Sequence, residues 1–92
     1  MSEARETTVK RLAMRSMRRG IKEMDLILSA YADARLPGMD EAGLALYDRI
    51  LNENDHDLYQ WVTGQGAPPA PYADMIGDIQ TLLAQQNAGQ SG

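Results

Sequence analysis

The stretch Tyr72-Ala73-Asp74-Met75-Ile76-Gly77-Asp78-Ile79-Gln80-Thr81-Leu82-Leu83 decides the fold class. Its apolar residues Tyr72, Met75, Ile76, Ile79, Leu82 and Leu83 recur at three- and four-residue steps, which gathers them on one side of an α-helix but would scatter them over both faces of a strand. The spacing predicts a helix from about Tyr72 to Gln86 with one buried face. Beyond it, Ala88 to Gly92 reads as a frayed polar tail. Just before it, Gly64 to Pro71 holds two glycines and three prolines in eight residues, so an irregular surface loop is expected there.

Four more helices follow from the same period. Leu58, Trp61 and Val62 predict a short helix through about Thr63, with Asp55 as its N-cap and Gly64 closing it. Leu44, Tyr47, Ile50 and Leu51 predict one from about Glu41 to Asn52, capped by Asp40 after the break at Leu36-Pro37-Gly38. Met24, Ile27, Leu28 and Tyr31 form the stripe of a helix from about Lys22 to Ala34. Val9, Leu12, Ala13 and Met17 form that of the first, from about Thr8 to Arg18, and Gly20 beyond it is placed to end the turn in the left-handed conformation. No stretch alternates in steps of two for long enough to make a strand. The expectation is all-α: a compact five-helix bundle in a single domain over residues 1–92, ordered from about 8 to 86 between polar tails. Trp61 belongs to its core, and six methionines fill gaps in a chain without phenylalanine.

Composition narrows the function classes. Ninety-two residues, 43% of them hydrophobic, suffice for one modest core. There is no cysteine, which removes disulfides, thiolate metal sites and a cysteine nucleophile. No apolar run approaches the roughly 20 residues that span a bilayer, and no signal-peptide pattern opens the chain, so a soluble, cytoplasmic bacterial protein without membrane contact is expected. Ser16 has only His56 as a possible base, with nothing in the sequence to join them. His56 follows the Asp55 cap and reads as an exposed first-turn residue. Asp55 and Asp57 beside it read as helix-start acids in place of metal ligands. There is no glycine-rich phosphate loop after a strand, so the chain is expected to hold no nucleotide cofactor of its own.

Charge is distributed unevenly. Residues 1–23 carry seven basic side chains (Arg5, Lys10, Arg11, Arg15, Arg18, Arg19 and Lys22) against Glu3, Glu6 and Glu23, whereas the remainder carries Arg35 and Arg49 against ten acids. Such a bipolar field orients a partner during encounter. Arg11, Arg15, Arg18, Arg19 and Lys22 fit three readings: a solvated helix face, a docking surface, or the phosphate-tracking face of a small helical nucleic-acid binder. Against the last, the acidic remainder repels a polyanion.

The most telling group is Arg19-Gly20-Ile21-Lys22-Glu23. Arg19 and Glu23 would share a face if the helix ran on, as a surface pair in the less favourable Arg-before-Glu order. Gly20 argues for a break instead, which puts both ionic groups at a helix–helix corner where a second backbone can come close.

Arg11, Arg15-Ser16, Arg18-Arg19-Gly20-Ile21-Lys22-Glu23-Met24-Asp25-Leu26, Ile50-Leu51 and Asp55-His56-Asp57-Leu58-Tyr59-Gln60-Trp61 followed by Gly64 stand in an order that closely resembles the FAD assembly factors of succinate dehydrogenase. The likeness covers roughly residues 8–83. The R-G-x-x-E string together with the downstream D-x-D-L-[YF]-x-W segment is specific in so short a chain. The resemblance implies a five-helix bundle; a monomer is the default for a factor that presents one face and later leaves, and a chain with no suitable catalytic group is expected to act by positioning, not as an enzyme. The resemblance further implies that the bundle binds the flavoprotein subunit of succinate dehydrogenase, and in bacteria that of fumarate reductase. There it promotes the bond between the flavin 8α-methyl carbon and a histidine of the subunit, so FAD is held by the partner. Arg19, Gly20 and Glu23 match the family's functional motif, with Arg15, Lys22 and Asp25 as flanking candidates. Two departures lie outside the motif: a proline-rich loop from Gln65 to Pro71, and Tyr31 near a position where phenylalanine is common.

Overall fold

Five apolar stripes leave five helices that can be buried only against each other, and the second helix takes the central place. A computed structural model describes residues 4–17 and 19–91, for 86–91 the backbone alone. Its helices are α1 (Arg5–Arg15), α2 (Lys22–Arg35), α3 (Glu41–Leu51), α4 (Asp55–Val62) and α5 (Ala73–Ser91), with 3-10 turns at Leu36–Gly38 and Ala70–Tyr72. No strand occurs among the described residues.

Helix α2 packs against α1, α4 and α5, while α1 also packs on α3 and α4 on α5. Met24, Leu28, Tyr31 and Ala32 of α2 are buried against Leu12 of α1, the Leu44, Tyr47, Ile50 and Leu51 stripe of α3, Leu58 and Val62 of α4, and Met75, Ile76 and Ile79 of α5. Each such large side chain contributes on the order of 2 kcal/mol. The radius of gyration is 12.9 Å, close to the roughly 12 Å of a compact chain this long.

Several boundaries differ from the expectation, each for a local reason. Helix α1 begins three residues early and stops at Arg15, and the expected end at Arg18 lies outside the described residues. Ser16 closes it: its amide reaches the Leu12 and Ala13 carbonyls, and its buried hydroxyl donates to the Leu12 carbonyl at 2.8 Å. Met17, assigned to the core stripe, is therefore off the helical rotation and 47% exposed. Asn54, not Asp55, caps α4 by accepting from the His56 amide at 2.8 Å. Where a polar tail was expected from Ala88, the backbone stays helical to Ser91, consistent with the alanine and glutamine content of this stretch. Asp40 does cap α3, accepting from the Gly43 amide at 2.7 Å. Gly64, at φ +81°, ends α4 as expected: its amide bonds the Trp61 carbonyl and that of Gln65 bonds the Gln60 carbonyl, the paired closure that a left-handed residue permits. Trp61 packs against the core but is only half-buried, its ring 6.0 Å from that of Tyr72.

One polar knot lies inside the apolar core. The Tyr47 hydroxyl sits 2.6 Å from the Ser16 hydroxyl and 3.4 Å from the Leu28 carbonyl, so α3 is tied to the end of α1 and to α2. Burial pushes the Tyr47 phenol from 10.0 up to about 12. Tyr31 is raised too, first by burial and then by its hydrogen bond to Asp78. Below pH 10 the phenols stay protonated folded or unfolded; above it the unfolded chain releases protons that the folded chain keeps, so stability falls as pH rises. Urea midpoints should therefore drop between pH 10 and 12, less steeply in Tyr47→Phe, which should itself lose about 1 kcal/mol at pH 7. A flat midpoint across that window in the native sequence would contradict the assignment.

Candidate functional site

Residues 16–21 carry the chain from α1 into α2, and the side chain that shapes this corner is Arg19. Its guanidinium reaches out of the corner to the α3–α4 junction. Nε and Nη2 each lie 2.7 Å from Oδ1 of Asp55, Nη1 donates to the Leu51 carbonyl at 2.9 Å, and Nη2 donates to the Glu53 carbonyl at 3.2 Å. Leu51 is the last residue of α3, so the cation meets a carbonyl that its own helix leaves unpaired, at the negative end of the helix dipole. Arg19 is 12% exposed and Asp55 17%, which makes this a mostly buried pair with further hydrogen bonds on the cation.

The second carboxylate oxygen of Asp55 accepts from the Gly20 amide at 2.5 Å. A Cβ on Gly20 would lie 3.0 Å from that oxygen. A side chain at Gly20 would therefore crowd the carboxylate that sits over its backbone. The expected left-handed conformation is not found there, since Gly64 alone has positive φ among the described glycines. After the corner, Ile21 is the extended N-cap of α2, half-buried against the core and with no side-chain cap of its own. Lys22 and Glu23 follow in the first turn, both exposed.

The candidate residues therefore separate into two groups. The Arg19 guanidinium and the amide of the exposed Gly20 bond inward, across to the α3–α4 junction. Arg15 bonds inward too, paired with Asp48 and donating to Asn52 Oδ1 at 2.6 Å, so it bridges α1 to α3. Arg11 joins the same Asp48 at 3.7 Å. Lys22 and Glu23 point outward, and Asp25 is half-buried one turn into α2. Leu26, three residues after Glu23 and four after Lys22, shares their face and is 64% exposed. On the other arm of the corner Met14 and Met17 are 65% and 47% exposed. These three are the large exposed apolar side chains among the described residues.

Enzyme-like alternatives find no geometry. Ser16 is fully buried under Tyr47, whereas His56 is exposed at the start of α4. No cluster of three histidine, aspartate or glutamate side chains is placed to hold a metal among the described residues. Grooves of about 290 and 250 Å³ flank Arg5, the first against α3 and the second against Pro37, and neither is lined by a residue of the corner. No described helix is long and apolar enough to cross a membrane.

Fold and site define a small all-helical module with a braced interhelical corner. Residues 10–83 match the family model described as flavinator of succinate dehydrogenase, and the chain belongs to that family. Among its relatives are proteins named succinate dehydrogenase assembly factor 2, mitochondrial. That of Aspergillus terreus is 51% identical over 82 residues, covering 89% of this chain and 27% of the relative. That of Meyerozyma guilliermondii is 37% identical over 89 residues, covering 97% and 65%. That of Drosophila grimshawi is 42% identical over 77 residues, covering 82% and 50%. The chain thus spans about a quarter to two thirds of the length of these relatives.

The partnership of Asp55 with Arg19 and Gly20 was missed by sequence reasoning, which used Asp55 as a cap. One signal was present: Asn54, directly before it, is an equally good cap and leaves the Asp55 carboxylate free for another partner. Because the clasp is mostly buried, Arg19→Ala should cost about 2 kcal/mol, stranding Asp55 and two carbonyls, and lower Tm by roughly 10 °C. Lys22→Ala should leave Tm within about 2 °C. Equal melting of the two variants would remove the bracing role of Arg19.

Proposed function

We propose that this protein binds the flavoprotein subunit of succinate dehydrogenase and promotes covalent attachment of FAD to a histidine of that subunit, using the outward face of the corner. The observation that supports this reading is the exposure of Lys22 and Glu23, from the sequence motif, in the first turn of α2, with the exposed Leu26 on the same helix face and the exposed Met14 and Met17 in the segment that leads into the corner. A mixed face of this kind, with apolar contact area beside an acid and a base, suits a protein partner. The same geometry disfavours nucleic acid. Arg11 and Arg15 are held by Asp48 and Arg19 by Asp55, so much of the basic stripe is neutralised within the fold.

Among the described residues the one hydroxyl of the corner, Ser16, is buried under Tyr47 and no acidic cluster is placed to hold a metal, so the contribution of the chain is to position. Docking favours the arrangement of the subunit in which its histidine and the flavin 8α-methyl carbon meet, and the bond forms between groups of the partner. FAD stays with that partner. Glu23 supplies a hydrogen-bond acceptor for a cationic or N–H group, Lys22 a donor, and Leu26 with the two methionines the apolar contact. Arg19, Gly20 and Arg15 act from behind by holding the corner. The protein works as a cytoplasmic monomer, with the fumarate reductase flavoprotein as a second client of the same face.

Deleting the gene should abolish in-gel flavin fluorescence of the succinate dehydrogenase flavoprotein, and the native sequence should restore it. Glu23→Ala should restore less than about a tenth while its Tm stays within about 3 °C of native, since an exposed first-turn acid adds only ~0.5 kcal/mol to a helix. Undiminished fluorescence in the deletion strain would overturn the reading.

A further inference from the structure

Two sequence features stand far apart in the chain and meet in the fold: the Arg19-Gly20 pair and Asp55, 36 and 35 residues further on. Asp55 is not needed by its own helix. Asn54 caps α4, and the Asp55 side chain turns away to the corner, with both carboxylate oxygens engaged there. One oxygen holds the Arg19 guanidinium and the other holds the Gly20 amide, two residues before α2 begins.

We infer that Asp55 is a positioning residue for flavinylation, whose carboxylate fixes the turn from Arg19 to Ile21 and thereby the direction in which Glu23 leaves the first turn of α2. This rests on the function proposed above. The path from one to the other is short. The buried stripe that begins at Met24 holds the body of α2, but Ile21 is an extended cap without a side-chain hydrogen bond, so the chain's entry into the helix is set by the packing of Ile21 and by whatever holds the Gly20 backbone just before it. That second constraint is the Asp55 carboxylate. A Gly20 Cβ would crowd the same oxygen at 3.0 Å, so the glycine and the aspartate are halves of one device, and a side chain at Gly20 acts by pushing Asp55 away. A contact face held in its binding geometry before the partner arrives loses less conformational freedom on docking.

Asp55→Glu separates positioning from bracing. It keeps a negative charge for Arg19 but carries the carboxylate one methylene further, so a residue that matters only as a charge is rescued by it and a residue that matters by position is not. In the deletion strain, Asp55→Glu should restore flavin fluorescence to the subunit at least tenfold more slowly than the native sequence. The purified variant should keep its helical content and a Tm within about 5 °C, and its Gly20 amide resonance should shift. In combination with Glu23→Gln it should be no slower than Glu23→Gln alone, because both act through one contact. Native rates in Asp55→Glu would overturn the inference and leave the proposed function standing, as would multiplicative losses in the double variant. Should Asp55→Glu fail to fold, Asp55→Asn, which is isosteric, is put through the same comparison with Glu23→Gln. Failure of the native sequence itself to restore fluorescence would overturn both.

Discussion

The guanidinium of Arg19 occupies the junction on which the remaining geometry depends. It joins three chain segments: the corner it comes from, the last turn of α3 and the first turn of α4. Charged groups this deeply placed are tolerated only when their hydrogen bonds are satisfied, and here the backbone carbonyls of Leu51 and Glu53 complete what the Asp55 carboxylate begins. Replacing the cation would leave an anion and two carbonyls without their donor, a cost that the exposed motif residues next to it do not carry. The buried Tyr47 and Ser16 hydroxyls add a second polar tie a few residues back, so the end of α1 is held on both sides of the turn.

Internal pairing also changes the meaning of the charge pattern. The basic surplus near the N-terminus looked like a surface for an anionic partner, but much of it is matched within the molecule by acids from the acidic remainder. Asp48 takes Arg11 and Arg15, Asp55 takes Arg19, and Asp78 takes Arg35 together with the Tyr31 hydroxyl. Part of the bipolar sequence is thus an interlocking set of helix-to-helix ties. What faces outward at the corner is modest in charge and includes apolar area, a composition typical of protein contacts.

The fold was legible in the sequence to the extent that it follows from period and turn chemistry. The stripes of α2, α3 and α5 lie in the core except at Ile27, Leu82 and Leu83, which are half-buried, and Asp40 and Gly64 perform the capping roles that their types suggest. What was not legible depended on residues distant in sequence. The end of α1 is decided by the Ser16 hydroxyl turning inward to Leu12 and Tyr47, which no local pattern around Met17 could disclose. The oxygen that a side chain at Gly20 would crowd belongs to a carboxylate 35 residues away. Of the motif, sequence correctly placed Arg19, Gly20, Lys22 and Glu23 at one corner, but it could not divide them into those that hold the corner and those that it presents.

A consequence concerns the order in which the molecule can become competent. Most of its contacts are within helices or between neighbours in the chain, and these form early and cheaply in loop-closure terms. The clasp between the corner and Asp55 is different, since it joins positions 35 and 36 residues apart across the whole of α2 and α3. On the function proposed above, a chain in which that contact is missing carries the motif residues without the Asp55 carboxylate that holds the turn before them.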